Sequence, residues 1–324
     1  MAVLILSHEH DSTAHRVQQH IEHLGGQAVL LNPAAFPQRI SLSARVRETT
    51  PWQGTIQTTH GPLPFDAITS VYVRRPHHYH IREGYPETVE RFLENEAMKG
   101  FGGILRSLSC LWMNDLEAIR RASFQPFQLT LAASLGWHLP DTLITNDPEA
   151  FLAFWQQQEG RVIYKPLHGN FFPGGGHTYY TIYTSLVGEE LLSQREGIRE
   201  TAHLFQADIP KCYEIRATVI GETVLAVGID SQRAHASRQD WRASYQDLRY
   251  WVEPLPREVE QRCIALTQAL GLLYGALDLI VTPSGDFIFL EINPNGQYGW
   301  LETETGLPFS RTIATVLLRG GNSA

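Results

Sequence analysis

Two acidic residues interrupt apolar stretches near the end of this 324-residue chain. Asp278 lies within the apolar run 276–282, and Glu291 lies near the end of the run 287–292. A carboxylate in an apolar strand costs free energy unless another group compensates its charge. The turn-forming residues Pro-Ser-Gly-Asp separate the two runs, so we predict an antiparallel hairpin that brings both carboxylates together near its open end.

A third oxygen ligand follows in the same strand. Asn293 lies two residues after Glu291 and therefore on the same face, because strand side chains alternate with a period of two. Two carboxylates and an amide oxygen suit Mg²⁺, which takes one or two protein carboxylates and fills its other positions with water and phosphate oxygens. We predict a Mg²⁺ site at Asp278, Glu291 and Asn293. The alternative is a hairpin whose acids only terminate its strands.

The same residues resemble a known family. Asp278 followed thirteen residues later by Glu-x-Asn is similar to the metal signature of ATP-grasp ligases. The longer run EINPNGQYGWLE, residues 291–302, resembles the ATP-grasp maturases of ribosomal peptides that make microviridin-type products, or graspetides. The resemblance implies an α/β ATP-grasp fold with three α/β subdomains. It also implies a macrocyclase that uses ATP and Mg²⁺ to form ester or amide crosslinks in a ribosomal precursor peptide with a leader sequence.

Composition narrows the possible classes of protein. The chain has 26 basic and 34 acidic residues and a formal net charge of −8, which disfavours nucleic acid as a partner. The sequence contains no long uncharged apolar run, so it predicts no membrane-spanning helix. Its N-terminus lacks the basic region of a signal peptide. Three unclustered cysteines are typical of reduced thiols, so we predict a cytoplasmic protein. We also expect a homodimer.

Alternating strand and helix patterns predict the domain organisation. Residues 1–112 are predicted to form an N-terminal pre-ATP-grasp α/β domain with a mostly parallel sheet. Residues 113–202 are predicted as a central ATP-grasp subdomain, and residues 203–324 as a C-terminal subdomain with the Mg²⁺ site. ATP is expected between the central and C-terminal subdomains. The patterns also predict a small polar hairpin at 54–64, strands at 203–207 and 213–220, and a closing helix at 307–318.

A lysine and a glycine run follow one predicted strand of the central subdomain. Lys165 ends the strand 161–165, and Gly174, Gly175 and Gly176 follow shortly after it. Consecutive glycines let backbone amides approach a ligand closely, so we predict a lid loop over the phosphates of ATP. The alternative is an ordinary flexible hairpin.

Further nucleotide contacts come from the resemblance. The segment 206–211 matches the hinge whose backbone reads the adenine edge, and Glu214 matches the acid that binds the ribose hydroxyls. A carboxylate accepts two hydroxyl hydrogen bonds, which suits that role. The ATP-binding residues implied here are Lys165, Gln206, Ala207, Asp208, Lys211 and Glu214 together with the glycine run.

Two arginines are the candidate catalytic residues. Arg216 lies two residues after Glu214, on the same strand face, where its planar fork of donors suits a phosphate or an acyl phosphate. Arg242 belongs to an Asp-Trp-Arg triplet similar to one in the peptide maturases, which implies contacts to phosphate or to a substrate carboxylate. The alternatives are cross-strand ion pairing for Glu214 and Arg216 and a solvated loop arginine at 242.

Four residues are candidates for peptide binding. Glu189 and Glu190 lie on a short predicted helix in the region that holds the leader peptide in the resembled family. Arg74 and Arg75 end a predicted strand, where α/β sheets place their sites, and the family has a similar Arg-Arg-Pro. The alternatives are a solvated helix face and a surface salt bridge. The nearby histidines of HHYH, residues 77–80, are predicted to be polar surface.

One position departs from the family pattern. Many ATP-grasp proteins place a phosphate-contacting lysine in the helix that resembles 124–135, and Gln125 stands at the matching position. Lys211 or an arginine substitutes for it, or ATP binds more weakly, or the alignment shifts there. Two other functions therefore stay open. One is an ATP-grasp ligase joining an amino acid to a small acid or a protein C-terminus, and the other is a non-catalytic ATP-binding partner.

Overall fold

The computed structural model describes the chain except residues 83, 168–170, 174–178, 234–237, 244–247 and 321–324. The predicted lid glycines, Gly174, Gly175 and Gly176, lie outside the described residues. The chain forms two compact units. The first comprises residues 1–119, 271–274 and 297–324, and the second comprises residues 120–270 and 275–296. The division into three subdomains at residues 112 and 202 stays a prediction.

A four-stranded parallel sheet organises the first unit. Its order is β2-β1-β6-β7, and every pair of neighbours is parallel, as predicted. All six residues of its first strand are buried, which is typical of a parallel sheet covered on both faces. The strands are β1 (Ala2–Ser7), β2 (Gln27–Leu31), β6 (Ile68–Arg75) and β7 (Leu111–Met113).

A three-stranded antiparallel sheet lies within the same unit. It has the order β3-β4-β5, with β3 at Ser41–Arg47, β4 at Thr50–Thr58 and β5 at Gly61–Pro64. The sequence predicted the hairpin at 54–64 but not β3, because β3 mixes serine and arginine with few apolar residues. Ile56 and Leu63 of this sheet are buried in the same core as Leu4 of β1.

Four helices complete the description of the first unit. They are α1 (Ser12–His23), α2 (Glu87–Arg106), α8 (Gly299–Thr305) and α9 (Phe309–Arg319). Asp11 caps α1 by accepting the backbone N–H groups of Thr13 and Ala14, which favours helix initiation there. The sequence predicted a closing helix at 307–318, close to α9, and missed α8.

The second unit contains an antiparallel sheet of order β12-β9-β13-β8. Its core includes Phe151, Val162 and Phe205. β13 lies within this sheet, on the C-terminal side of the predicted boundary at residue 202. The strands are β8 (Thr142–Thr145), β9 (Val162–Lys165), β12 (Ser185–Leu186) and β13 (His203–Ala207), and a separate pair is formed by β10 (Phe171–Pro173) and β11 (Tyr179–Thr181).

A five-stranded sheet of order β16-β15-β14-β17-β18 follows in the second unit. Its strands are β14 (Tyr213–Ile220), β15 (Thr223–Ile229), β16 (Tyr250–Val252), β17 (Tyr274–Val281) and β18 (Phe287–Asn293). The remaining helices are α3 (Leu116–Ala122), which spans the boundary between the units, α4 (Gln125–Ser134), α5 (Pro148–Gln157), α6 (Glu189–Ser193) and α7 (Arg257–Ala269). Among the described residues, no helix is both long and apolar enough to cross a membrane.

Candidate functional site

The hairpin of β17 and β18 places two carboxylates side by side. Asp278 is the cross-strand partner of Glu291, and Ala276 is the partner of Asn293. Side chains directly opposite each other in an antiparallel pair have Cβ atoms about 5 Å apart. The predicted hairpin and the adjacency of its two acids are therefore confirmed.

The turn and the neighbouring helix hold this hairpin in place. Gly285 has a φ of 87°, a left-handed conformation that favours glycine at the turn. Gln128 of α4 is buried, donates to the backbone oxygen of Ile292 at 2.9 Å, and accepts the Ile292 N–H at 2.9 Å. The strand residue that separates Glu291 from Asn293 is thus fixed by both of its backbone polar groups.

Each acid of the pair faces a cationic side chain. Arg216 donates to Asp278 at 2.6 Å, and both side chains are buried. Glu291 lies 3.4 Å from the Nζ of Lys165 and 3.3 Å from the Nη1 of Arg242. The cationic groups offset the cost of placing two carboxylates together in a poorly solvated site.

The two carboxyl groups differ in their tendency to ionise. Burial raises the pKa of Asp278, and the Arg216 guanidinium opposes that rise. The Lys165 ammonium is the main cause that lowers the pKa of Glu291 to about 2, against the effect of burial. Glu291 therefore stays ionised at neutral pH, as an electrostatic site for a cation requires.

The short segment 240–242 positions Arg242. Asp240 is buried and accepts two bonds from the Arg242 guanidinium, at 2.8 and 3.1 Å. Asp240 also accepts the backbone N–H of Thr184 at 3.2 Å. Although burial acts to raise the pKa of Asp240, the bonds from Arg242 hold it below its ordinary value. The ring of Trp241 lies 5.6 Å from the Arg216 guanidinium.

The predicted ribose-binding acid has a cationic partner as well. Lys211 donates to Glu214 at 2.7 Å, and both side chains are buried. Burial raises the pKa of Glu214, and Lys211 opposes that rise. Arg216 on β14 pairs with Asp278 on the neighbouring strand β17, so the alternative of a cross-strand ion pair is confirmed for Arg216, whereas Glu214 pairs with the nearby Lys211.

Most of these side chains line one pocket of the second unit, although Arg216 is not among its described lining residues. The pocket encloses roughly 530 Å³ of empty space, including its open mouth. Its described polar lining residues are Lys165, Thr184, Gln206, Asp208, Lys211, Glu214, Gln239, Asp240, Arg242, Asp278 and Glu291. Its other described lining residues are Pro140, Ile163, Ala207, Ile209, Trp241, Ile280 and Leu290.

Strand register gives this pocket a direction. Gln206 is the cross-strand partner of Ile163, whereas Lys165, two residues further along β9, is the partner of Leu204. Two residues of a strand span about 7 Å. At one end of the pocket, the neutral amide of Gln206 lies beside the apolar side chain of Ile163. At the other end lies the cationic Lys165. This arrangement suits an elongated ligand with a neutral ring at one end and an anionic group at the other.

Several predicted residues lie elsewhere. Asn293 is exposed, its Oδ1 accepts the backbone N–H of Asn295 at 2.9 Å, and it is not among the described lining residues of the pocket. Gln125 is buried at the start of α4, and its Nε2 has no hydrogen-bond partner among the described residues. It too is absent from the described pocket lining.

The candidate peptide-binding residues have contrasting environments. Arg74 is buried in the first unit, bonds to Gln297, and lies 3.9 Å from Asp11. It therefore contributes to the interior of that unit and does not form the surface salt bridge considered above. Arg75, Glu189 and Glu190 are exposed.

The hairpin offers the type of ligand atom, oxygen, that Mg²⁺ prefers. Asp278 and Glu291 supply adjacent carboxylates, and Asn293 lies on the same strand face as Glu291. Within the described part of the chain, no three His, Cys, Asp or Glu side chains cluster as metal ligands. A site of two carboxylates is sufficient for an ion that takes its other ligands from water and phosphate.

The sequence did not predict which apolar side chains form the walls of the pocket. Ile163, Ile280 and Leu290 read as ordinary core positions of strands, and no sequence signal separates a pocket wall from a core. Asp240 had a usable signal, because an acid two residues before Arg242 can hold its guanidinium.

The N-terminal part of the chain matches a known protein family. Residues 2–120 match the family described as the MvdD pre-ATP grasp domain. No curated protein sequence matches the chain.

Solved structures resemble it over nearly its whole length. Macrocyclase MdnC from Microcystis aeruginosa MRC, bound with precursor peptide MdnA, is 29% identical with a TM-score of 0.86, and the match covers 98% of this chain and 100% of that one. The RiPP-associated ATP-grasp ligase of Chryseobacterium gregarium, in complex with ADP and a leader and core peptide, is 27% identical with a TM-score of 0.90, covering 98% of this chain and 96% of that one.

A more distant structure shows how general the fold is. D-alanine–D-alanine ligase from Bacillus anthracis, complexed with ATP, is 14% identical with a TM-score of 0.58, covering 99% of this chain and 96% of that one. This likeness shows the ATP-grasp fold alone. The chain thus has the ATP-grasp fold, its residues 2–120 match a pre-ATP-grasp family, and over nearly its whole length it is similar to ATP-grasp ligases that act on ribosomal peptides.

Proposed function

We propose that the chain is a macrocyclase that forms intramolecular ester or amide crosslinks in a ribosomal precursor peptide, at the expense of ATP. The observation that supports this most directly is the pocket in which Lys165 and Arg242 face the carboxylate of Glu291, beside Asp278 and its partner Arg216. Such a concentration of cations beside two acids suits the triphosphate of a nucleotide and its metal ion.

The proposed reaction has two steps. An oxygen of a side-chain carboxylate on the peptide attacks the γ-phosphorus of ATP, which gives an acyl phosphate and releases ADP. A hydroxyl or amine of the same peptide then attacks the acyl carbon, the phosphate leaves, and the nucleophile loses its proton. The peptide loses the elements of one water molecule for each bond formed.

Residues of the pocket have distinct proposed roles. Gln206, Ala207 and Asp208 would hold the adenine, and Lys211 with Glu214 the ribose. Lys165, Arg216 and Arg242 would hold the phosphates and the transferring group. This chemistry depends on positioning and electrostatic stabilisation, so no cysteine or serine nucleophile is required.

Asp278, Glu291 and Asn293 would hold Mg²⁺ when the nucleotide is bound. The ion would neutralise charge between the β- and γ-phosphates. For Asn293 to take part, its Oδ1 must exchange the backbone N–H of Asn295 for the ion. Asp278 and Glu291 already lie together, which makes them the main proposed ligands.

The proposed partner is a precursor peptide with a leader sequence, because macrocyclase MdnC is bound with a precursor peptide and the Chryseobacterium gregarium ligase is in complex with a leader and core peptide. The exposed Arg75, Glu189 and Glu190 are available to such a peptide. Arg74 is buried, so its proposed part is to support the strand end that presents Arg75. A microviridin-type product, a homodimer and a cytoplasmic location stay predictions.

One assay tests the proposal and separates its alternatives. The full chain is incubated with ATP, Mg²⁺ and a leader-bearing precursor peptide, and ADP and the peptide mass are measured together. We expect ADP release that needs the peptide and a peptide mass lower by one water per crosslink. ADP release with free amino acids alone would favour the amino-acid ligase, and ATP binding without ADP under every condition would favour a non-catalytic partner.

A further inference from the structure

Both oxygens of the Glu291 carboxylate have a cationic neighbour. Lys165 Nζ lies 3.4 Å from Oε2, and Arg242 Nη1 lies 3.3 Å from Oε1. A divalent cation that binds Glu291 must therefore take over an oxygen that already faces a positive charge. The same carboxylate is an internal ion-pair partner and a proposed metal ligand, and these two uses compete with each other.

The two ion pairs of Glu291 are looser than the pair beside them. Strong charge-assisted hydrogen bonds from nitrogen to a carboxylate oxygen are about 2.7–2.9 Å long, and both contacts of Glu291 exceed that length. Arg216, by contrast, donates to Asp278 at 2.6 Å. Charge more than a hydrogen bond thus holds Lys165 and Arg242 to Glu291, so they can exchange it for another anion.

Lys165 needs such an anion before it can leave Glu291. Its side chain is buried, and among the described residues Glu291 is the only acid within ion-pair distance of it. A buried ammonium that loses its ion pair is unfavourable, because neither water nor a second acid compensates its charge. A bare metal ion that displaces Lys165 gains a ligand but leaves that ammonium uncompensated.

A phosphate-bearing ligand removes this obstacle. Its oxygens accept hydrogen bonds from an ammonium and a guanidinium, so Lys165 and Arg242 can exchange Glu291 for the phosphates. The carboxylate is then free for a divalent cation, which takes its other ligands from phosphate and water. Arg242 stays at the site during this exchange, because Asp240 holds its Nε and Nη2 at 2.8 and 3.1 Å.

We propose that Lys165 and Arg242 act as internal counter-ions that exclude a bare divalent cation from Glu291 and admit it only together with a phosphate-bearing ligand. Lys165 has the larger effect, because Arg242 keeps Asp240 as a second partner. This inference rests on the proposed function, because it assumes that the metal binds at Glu291. It makes the binding of the metal and of the nucleotide mutually dependent.

The first test measures the binding of Mn²⁺ to the full chain without nucleotide or peptide, from the electron paramagnetic resonance signal of the free ion. Lys165→Met should bind Mn²⁺ about tenfold or more tightly than the unmodified chain, because it removes the competing ammonium. Lys99→Met makes the same substitution at an exposed lysine of α2 and should bind Mn²⁺ like the unmodified chain. Equal Mn²⁺ affinities in Lys165→Met and the unmodified chain would overturn the proposal.

The second test measures the binding of metal-free ADP by calorimetry in the presence of EDTA. Here Lys165→Met should bind about tenfold or more weakly than the unmodified chain, because the phosphates lose a cationic partner. A general disturbance of the pocket lowers the affinity for both ligands, whereas the proposal predicts opposite changes. A loss of Mn²⁺ affinity alongside the loss of ADP affinity would contradict it.

A double variant locates the gained Mn²⁺ affinity. Lys165→Met combined with Glu291→Gln should bind Mn²⁺ no better than the unmodified chain, because the carboxylate is gone. A gain that persists in the double variant would refute the assignment to Glu291. Arg242→Gln should also tighten Mn²⁺ binding, by a smaller factor, and it decides the matter if Lys165→Met fails to fold.

Failure of the inference is distinguishable from failure of the proposed function. The binding of Mn²⁺ and ADP is measured without peptide, and crosslinking is measured by peptide mass. Crosslinking by a chain whose Mn²⁺ affinity is the same with and without Lys165 would refute only the counter-ion role. Opposite changes in Mn²⁺ and ADP affinity without any crosslinking would support that role and refute the macrocyclase.

Discussion

Glu291 keeps its negative charge because two cationic side chains face it. Lys165 and Arg242 both lie within 3.4 Å of its carboxylate oxygens. Lys165 itself is 6% exposed, so its ammonium depends on this carboxylate for compensation. A change at Glu291 thus removes a proposed metal ligand and leaves a buried ammonium without its ion pair.

The first prediction concerns this carboxylate. Glu291→Gln should lower peptide-dependent ADP release by about a hundredfold or more, because it removes charge where the phosphates and the metal are proposed to bind. Circular dichroism should show that the variant stays folded. Glu222→Gln, at the exposed turn between β14 and β15, is the matched control and should retain full activity. Unchanged ADP release in Glu291→Gln would refute the metal assignment.

Asp11 provides a pH-dependent prediction in the first unit. Burial acts to raise its pKa, but bonds from Ser7 and the backbone of Ala14, with the charge of Arg74, hold it below the ordinary value of 3.8. A carboxyl with a lowered pKa in the folded state stabilises the protein above its unfolded pKa, and this contribution is lost as the pH falls through the folded value.

Asp11→Asn should therefore lower the free energy of unfolding by about 1–3 kcal/mol at pH 7, because asparagine still caps α1 but carries no charge. The difference from the unmodified chain should narrow as the pH falls below 3.8. Urea denaturation at a series of pH values measures it. Asp147→Asn, at the exposed N-cap of α5, is the control and should show a much smaller difference at pH 7. A gap that is constant with pH would contradict the role of the charge.

Among the elements, α4 and β18 depend on one glutamine. The Gln128 side chain satisfies both backbone groups of Ile292, between the proposed ligands Glu291 and Asn293. Helix propensity does not explain why a glutamine is buried at this position. Gln128 is buried because its side chain bonds backbone groups of β18 that would otherwise lack partners. The position of the metal ligands thus depends on a helix residue that touches no ligand.

Replacing that glutamine gives the third prediction. Gln128→Leu should lower the free energy of unfolding, by about 1–3 kcal/mol for each backbone group of Ile292 left unpaired. ADP release should fall as well, because β18 is no longer held in register with the helix. Urea denaturation and the peptide assay measure the two effects. Thr130→Ala, on the exposed side of α4, should change stability by less than about 0.5 kcal/mol. Native stability in Gln128→Leu would disprove this role.

The sequence predicted elements wherever local pattern and turn chemistry agreed. The hairpin of β17 and β18 was predictable because apolar runs flank a Pro-Ser-Gly-Asp turn, and β13 and β14 were predicted at the bounds observed. β3 and α8 were missed because their residues carry little apolar periodicity. The partners of Glu214 and Arg216 depend on how strands are ordered in the sheet, and a single sequence does not contain that order.

At the scale of the whole molecule, the first unit is assembled from distant parts of the chain. Residues 297–324 belong to the same unit as residues 1–119. Leu301, Phe309, Ile313 and Leu317 of α8 and α9 are fully buried. Ser70 of β6 also donates a buried hydrogen bond to the backbone oxygen of Leu317. The closing helices are thus part of the core of the N-terminal unit.

This arrangement yields the fourth prediction. A fragment ending at residue 120 should fail to fold, although it spans the whole N-terminal family match. Each of the four buried apolar side chains contributes about 2 kcal/mol, and their sum is comparable to the stability of a whole domain. Amide chemical-shift dispersion of the fragment measures folding. Addition of a peptide of residues 297–320 should restore it in part, and a fragment that folds alone would refute the prediction.

The return of the chain to its first unit has a consequence during synthesis on the ribosome. The parallel sheet emerges first, but α8 and α9 follow the second unit in the chain, so both closing helices leave the exit tunnel only after that unit has been translated. Apolar surface on the nascent N-terminal segment must then stay uncovered while the second unit is translated. Slow elongation or premature termination would leave that segment open to aggregation, and a holdase chaperone would be most useful to this protein before α9 has been translated.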